Sequence, residues 1–295
     1  MCLSIFLYYK YKNIMLIYMK NNKIHLKLYK TGPFKKIPKC IRNAIIKSSK
    51  MLNSSYHFYD DEMCKYFIKN NFSYFVLYAY EDLIPTAFKA DLWRYCILYI
   101  NGGIYADISQ TILKKIDVNK NNADMILVKD RPDNCIQISF LATIPKNNFL
   151  KYVIERICVK IIEKNKGKTS IHLTGPCIFG ELFIEFFNIK SDKKDKIIPR
   201  LRTYKGLDGK RYLIDIKYKH VENYICDFNH NKIMRRKFVD NKKLLYKNRQ
   251  SYNDLWKSNI IFKNDKIYRG YNFYYFIAFL VIIFTCTFFL IINKK

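Results

Sequence analysis

No two of the nine cysteines stand three residues apart; they fall at positions 2, 40, 64, 96, 135, 158, 177, 226 and 286. The absence of CxxC pairs argues against a zinc site, and an odd count resists a closed disulfide framework. Reduced thiols facing a cytosolic compartment are the expectation that follows. The chain also lacks an internal repeat and any aromatic–basic motif of the RNA-binding kind. Carboxylates are scarce, with 24 Asp and Glu against 53 Lys and Arg, for a formal charge of +29. Such a balance suits nucleic acid or an anionic surface. Here the charge is spread along the chain, and 25 tyrosines and 22 phenylalanines accompany it. No binding function requires that aromatic usage, which AT-rich codons favour, so no nucleic-acid partner is expected.

What is present is enough for a core. Half of the 295 residues are hydrophobic, which allows one substantial domain with a small accessory region. The clearest single signal is FYYFIAFLVIIFTCTFFLII, residues 273–292, twenty residues without a charge. That length spans a bilayer as a helix, with Tyr271, Tyr274 and Tyr275 as an aromatic belt. A single-pass C-terminal helix over 271–292 is therefore expected. The basic residues Lys257, Lys263, Lys266 and Arg269 before it outnumber the two lysines after it, which places the folded part in the cytosol. Residues 1–30 read as an N-terminal extension. The sequons at Asn53 and Asn71 matter only if the domain faces a secretory lumen.

Between these ends, IPKCIRNAII (37–46) reads as a first strand because of its β-branched isoleucines. YHFYDDEMCKYFIKN (56–70) reads as a strand and a short helix capped by Asp60 or Asp61. A further helix ends before Pro85, and Thr86 caps a helix over 87–101 that Gly102 terminates. ADMILVKD is a strand, NFLKYVIERICVKIIEKN an amphipathic helix, and a helix starts at Pro176. RYLIDIKYKHV and ENYICDFNHNKIMRRKF alternate as strands. The alternation of strands and helices predicts an α/β fold around a central, mainly parallel sheet.

The chemistry concentrates in AFKADLWRYCILYINGGIYADIS, residues 87–109. Asp91 and Arg94 lie three apart, on one helix face. A carboxylate beside a guanidinium accepts from and donates to hydroxyl groups, which suits a polyhydroxylated ligand. Alone, the pair could also be a structural ion pair. Gly102-Gly103 allows a sharp reversal into a strand. Tyr105, Asp107 and Ser109 then follow on one face, two apart, where an open α/β sheet binds ligands beyond its strand ends. Trp93 reads as core, and His172 and His230 as structural polar residues.

KADLWRYCILYINGGIYADIS closely resembles the hallmark of the glycosyltransferase family with a DXD-containing sugar-binding region, roughly K-A-D-x-x-R-Y-x-x-L-x-x-x-G-G-x-Y-x-D-x-D. Every element is present except the last, which is Ser109. Looser similarity runs from IPKCI at residue 37, through Thr174-Gly175-Pro176, to SYNDLWKSNIIF at 251–262. The resemblance implies a GT-A type nucleotide-sugar-binding fold over 31–265. It implies transfer of a hexose from a UDP- or GDP-linked donor to a glycan or protein acceptor, with retained configuration. Asp91, Arg94 and Asp107 would be the catalytic set, with Lys89, Gly102, Gly103, Tyr105, Ser109 and Thr174 binding the donor. Mn²⁺ or Mg²⁺ would sit on Asp107 and Ser109, with Asp254 or Asn253 compensating for the missing carboxylate. The family's His and Trp shortly after IPK are Arg42 and Ile45 here, which leaves the nucleobase unread. Two alternatives stand beside this: a degenerate relative that binds nucleotide sugar without transferring it, and a basic membrane-associated protein that binds nucleic acid or lipid.

Overall fold

In KLYKT, four consecutive residues are buried, and they open the sheet as β1 (Lys27–Thr31). The structure is a computed structural model describing residues 23–132, 134–189, 197, 200–236 and 250–263. The chain divides into two units, Met1–Ile261 and Phe262–Lys295, and every element below lies in the first. The expected membrane helix over 271–292 lies outside the described residues. Among the described residues no helix is long and apolar enough to cross a membrane.

The segment expected as a first strand is instead helix α1 (Lys39–Leu52). Its buried residues Ile41, Ala44, Ile45, Ser48 and Leu52 recur at helical spacing, and that periodicity outweighs the β preference of the isoleucines. The first strand stands earlier, at β1, inside the stretch assigned in part to an N-terminal extension. Strand β2 (Ser55–Tyr59) follows. Asp60 then caps α2 (Asp61–Asn71) by accepting from the Met63 amide at 2.8 Å, as expected. Helices α3 (Tyr74–Asp82) and α4 (Thr86–Asn101) complete this layer.

The glycines after α4 have distinct tasks. Gly102 sits at φ 61°, ψ −163°, with its amide bonded to Leu98 O, and a Cβ there would lie 2.5 Å from the Pro145 nitrogen. Gly103, at φ 100°, lets β3 (Gly103–Ala106) pass close to the Lys27 carbonyl. Both conformations favour glycine.

Next come β4 (Thr111–Ile112), β5 (Met125–Lys129) and β6 (Ile136–Thr143), then α5 (Asn148–Ile162) and α6 (Pro176–Phe186). Strands β7 (Leu201–Lys205), β8 (Arg211–Val221), β9 (Tyr224–Cys226) and β10 (Lys232–Arg235) follow, and α7 (Tyr252–Lys257) closes the unit. All ten strands form one sheet, ordered β2-β1-β3-β6-β5-β8-β9-β10-β4, with β7 also on β8.

The sheet is mixed, not mainly parallel. Among the described strands, β1–β2, β1–β3 and β5–β8 run parallel. The other six pairings are antiparallel, because β6 inserts between β3 and β5 and the C-terminal strands fold back in hairpins. All eight residues of β6 are buried, so IQISFLAT carries no inside–outside alternation to mark it as a strand.

Cys135, just before β6, and Cys177, in the first turn of α6, form a disulfide with Cα atoms 4.1 Å apart. This corrects the expectation of reduced thiols throughout. The odd total conceals one pair, while the buried Cys64, Cys96, Cys158 and Cys226 form no disulfide among the described residues. A disulfide is at odds with the cytosolic placement inferred from flanking lysines.

Candidate functional site

Arg94 is a guanidinium placed among the buried Leu92, Trp93, Tyr95 and Cys96 of α4, itself only 5% exposed. Its charge is met from several sides. Nη2 lies 2.7 Å from Asp91 Oδ1, one turn earlier. Nη1 lies 3.2 Å from Asp107 Oδ1 and donates to the Ile138 carbonyl of β6 at 2.7 Å. The Tyr105 ring lies beneath it at 4.4 Å, a cation–π contact, and the Tyr105 hydroxyl donates to Asp107 Oδ1 at 3.0 Å. One arginine thus joins helix α4, the exit of β3 and the centre of β6.

The second carboxylate is braced from α6. Thr174 Oγ1, just before that helix, donates to Asp91 Oδ2 at 2.9 Å, and the Thr174 carbonyl accepts from the Tyr95 hydroxyl at 2.8 Å. Burial pushes the Asp91 carboxyl up to about 7, against the opposing pull of Arg94 and Thr174. For Arg94, burial works against the charge, but Tyr105, Asp91 and Asp107 outweigh it and raise the pKa further. The Asp107 side chain remains 35% exposed, and Oδ2 takes neither of the contacts made by Oδ1.

Beneath the turn that follows β3 lies a residue that sequence reasoning missed. Lys30 of β1 is 1% exposed, and its Nζ donates to the carbonyls of Asp107 (2.8 Å) and Gln110 (3.0 Å). Burial lowers its pKa to about 7, with the charge of Asp107 opposing. The Asp107 amide bonds to Ser139 O and the Gln110 amide to Asp107 O, at 2.9 Å each. The turn presenting Asp107 is therefore fixed along its backbone.

The expected residues separate into two groups. Asp91, Arg94, Tyr105, Asp107 and Thr174 form one connected cluster. Ser109 lies on the same turn, where its hydroxyl donates to the Arg236 carbonyl at 3.1 Å. Gly102 and Gly103 stand at the opposite end of β3 and serve the backbone turn. Lys89 directs its ammonium to the Tyr80 ring of α3, 5.4 Å away. Asp254 is exposed in the first turn of α7, and Asn253 accepts from Ser170 at 2.7 Å. Trp93 is wholly buried, as expected. Sequence reasoning also missed Tyr252 and Arg236. Burial raises the Tyr252 phenol, with Asp91 and Asp107 adding to the effect and Arg236 opposing it. Neither residue belongs to a periodic pattern that would have singled it out.

These residues do not fit the divalent ion that the resemblance implies. Among the described residues no group of three or more His, Cys, Asp and Glu could hold a metal. At the turn one carboxylate oxygen is left, on Asp107, beside a hydroxyl that already donates to a carbonyl. Even Mg²⁺, which keeps several waters and uses one or two carboxylates beside substrate phosphates, would find here one carboxylate oxygen and a hydroxyl whose proton is already engaged.

Residues 33–137 match the sequence model of the family described as glycosyltransferase sugar-binding region containing DXD motif. That segment holds α1 to the start of β6, including Asp91, Arg94, Tyr105 and Asp107. Over 213 residues the chain is 27% identical to the initiation-specific alpha-1,6-mannosyltransferase of Candida albicans, covering 57% of this chain and 55% of that protein. It is 41% identical over 59 residues to an uncharacterised glycosyltransferase of Acanthamoeba polyphaga mimivirus, covering 20% and 24% respectively. The chain thus spans about half the length, or less, of these relatives. Among solved structures, the PaToxG glycosyltransferase is similar at a TM-score of 0.45 and 16% identity, over 55% of this chain and 68% of that one. That likeness is too loose to bear an argument.

Proposed function

We propose that this chain transfers a hexose from a UDP- or GDP-linked sugar to a glycan or protein acceptor, with retention, and that residues 271–292 attach it to a membrane. The observation that carries this reading is the buried Arg94 joining two carboxylates, one braced by Thr174 and the other open to solvent. Asp91 accepts hydrogen bonds from the sugar's hydroxyl groups, and Arg94 donates to them while holding Asp91 in place. Asp107 Oδ2 takes a hydroxyl of the ribose or sugar, and Tyr105 holds the other oxygen of that carboxylate. Fixed polar groups in a partly dry site favour a charge-separated transition state, because they need no reorganisation as charge develops. The bond from the anomeric carbon to the diphosphate breaks with its electron pair leaving on the nucleotide, and the acceptor oxygen takes its place.

Full-length protein in detergent, given a panel of UDP- and GDP-sugars, should release nucleotide from one of them, both with Mn²⁺ and with chelator. Asp107→Ala should lower that turnover by at least roughly 100-fold, in the range found on removing one electrostatic contact to a transition state. A second reading is favoured by Ser109, which replaces the carboxylate of the motif: a relative that binds the donor without turning it over. Binding of a nucleotide sugar with no release from any donor would establish that instead.

A further inference from the structure

We propose that Arg236 holds the donor's diphosphate, on the side of the turn where the motif calls for a metal-binding carboxylate, and that the reaction needs no divalent ion. This rests on the nucleotide-sugar reading of the same site.

The register of the sheet places Arg236 there. Strand β10 runs antiparallel to β4, with Met234 opposite Ile112 and Arg235 opposite Thr111. The next residue therefore comes alongside the turn containing Ser109 and Gln110, and the Ser109 hydroxyl bonds to its carbonyl at 3.1 Å. An aspartate in place of Ser109 would set an anion against that carbonyl. A serine satisfies it.

The guanidinium is oriented by a buried chain of polar groups. Nη1 meets the His220 ring at Nε2. His220 Nδ1 lies 2.6 Å from Asp130 Oδ1, and Gln137 Nε2 lies 3.4 Å from Asp130 Oδ2. His220, Asp130 and Gln137 are 6%, 9% and 5% exposed. His220 Nε2, which meets the arginine, also lies 2.8 Å from the Glu222 carbonyl. Burial would raise the Asp130 carboxyl, but the His220 hydrogen bond, the Arg131 amide and the charges of His220 and Arg236 hold it below the usual range. Among the described residues the Arg236 Nε is buried and has no partner. Burial lowers the Arg236 pKa against the charges of Asp107 and Asp130, so an added anion near the Asp107 turn stabilises the charged guanidinium.

Electrostatics choose which ion this side accepts. Arg94 is engaged by Asp91 and Asp107, and Ser109 contributes no charge. A divalent cation beside a guanidinium is repelled, and this site offers only one carboxylate in compensation. A diphosphate is attracted, and the planar fork of arginine matches phosphate oxygens in pairs. When the anomeric C–O bond breaks, its electron pair passes to a diphosphate oxygen beside Arg236. The acceptor's oxygen forms the new bond, and its proton leaves on the diphosphate.

The test is calorimetric titration of full-length protein with UDP, GDP, UMP and GMP, in EDTA and in Mn²⁺. One diphosphate should bind in EDTA. Arg236→Gln should weaken it roughly 30-fold, the worth of a charge-assisted contact, with a much smaller effect on the monophosphate and with Arg236→Lys recovering part of the loss. Ser109→Asp should make binding Mn²⁺-dependent. Binding of wild type that EDTA abolishes, or that Arg236→Gln leaves unchanged in a variant with wild-type melting, overturns the proposal. If no nucleotide binds wild type under either condition, the nucleotide-sugar reading falls as well, a distinct result.

Discussion

Asp91 carries the sharpest consequence at the scale of single residues. It is buried beside Arg94, and desolvation raises its pKa from 3.8 to about 7. The unfolded chain releases this proton near 4, whereas the folded chain keeps it until about 7. The folded state thus binds the extra proton in that window, and stability falls as pH rises through it. Wild type should lose up to a few kcal/mol between about pH 4 and 7 relative to Asp91→Asn. Urea denaturation of both proteins across that range checks this, and parallel curves would refute it. Asp91, Arg94, Tyr105 and Asp107 were legible in the sequence because their spacing fixes them to one helix face and one strand face. Lys30 and Arg236 were not. A lysine in a five-residue strand looks solvated until the sheet closes over it, and Arg236 reaches the site only through the pairing of β10 with β4, across more than a hundred residues.

The elements show the same division. Helix α5, with its strong periodicity, and the alternating strand β8 were read almost to the residue, and Asp60 rather than Asp61 proved to be the cap of α2. Helix α4 was bounded correctly by Pro85 and Gly102, but Thr86 is its first residue, with Pro85 at the N-cap and no side-chain cap. Errors arose where two signals conflicted or neither existed. In α1, β-branched residues stood at helical spacing, and the spacing prevailed. In β6, burial of both faces removed alternation, and with β6 unseen the sheet was expected to be mainly parallel. The Gly102-Gly103 junction was correctly read as a reversal, and the backbone geometry there requires glycine. Gly102 occupies a region that essentially only glycine enters, and a Cβ would press on the Pro145 nitrogen. Gly102→Ala should therefore cost at least about 2 kcal/mol, counting the dihedral strain alone at its usual magnitude. Denaturant titration measures this, and an unchanged midpoint would contradict it.

Across the whole molecule, the Cys135–Cys177 bond joins β6, which supplies the carbonyls holding Arg94 and Asp107, to α6, which follows Thr174. It closes a separation of 42 residues, so it should restrict the unfolded chain by about 4 kcal/mol on the loop-entropy relation. Cys135→Ser, or reductant added to wild type, should lower the unfolding free energy by a comparable amount in denaturant titration, and the melting temperature with it. Alkylation and mass measurement of unreduced protein should find these two thiols blocked. Two reactive thiols there would refute the pairing. No sequence rule exposed this bond, since cysteine spacing says nothing of which strand and helix will meet. The direction in which the domain faces a membrane was read from flanking lysines and Arg269, a reading with which the Cys135–Cys177 bond sits poorly.

The chain's two tryptophans occupy contrasting places. Trp93 is wholly buried, 6.4 Å from the Tyr105 ring that underlies Arg94. Trp256 is half-buried on α7, its indole nitrogen bonded to the Lys166 carbonyl at 3.0 Å. The protein therefore contains its own optical probes, one in the floor of the site and one on the helix that brings Tyr252 towards it. With Trp256→Phe the emission comes from the floor alone. Occupation of the site can then be followed as a colour change from within the core, without labelling either the protein or the sugar.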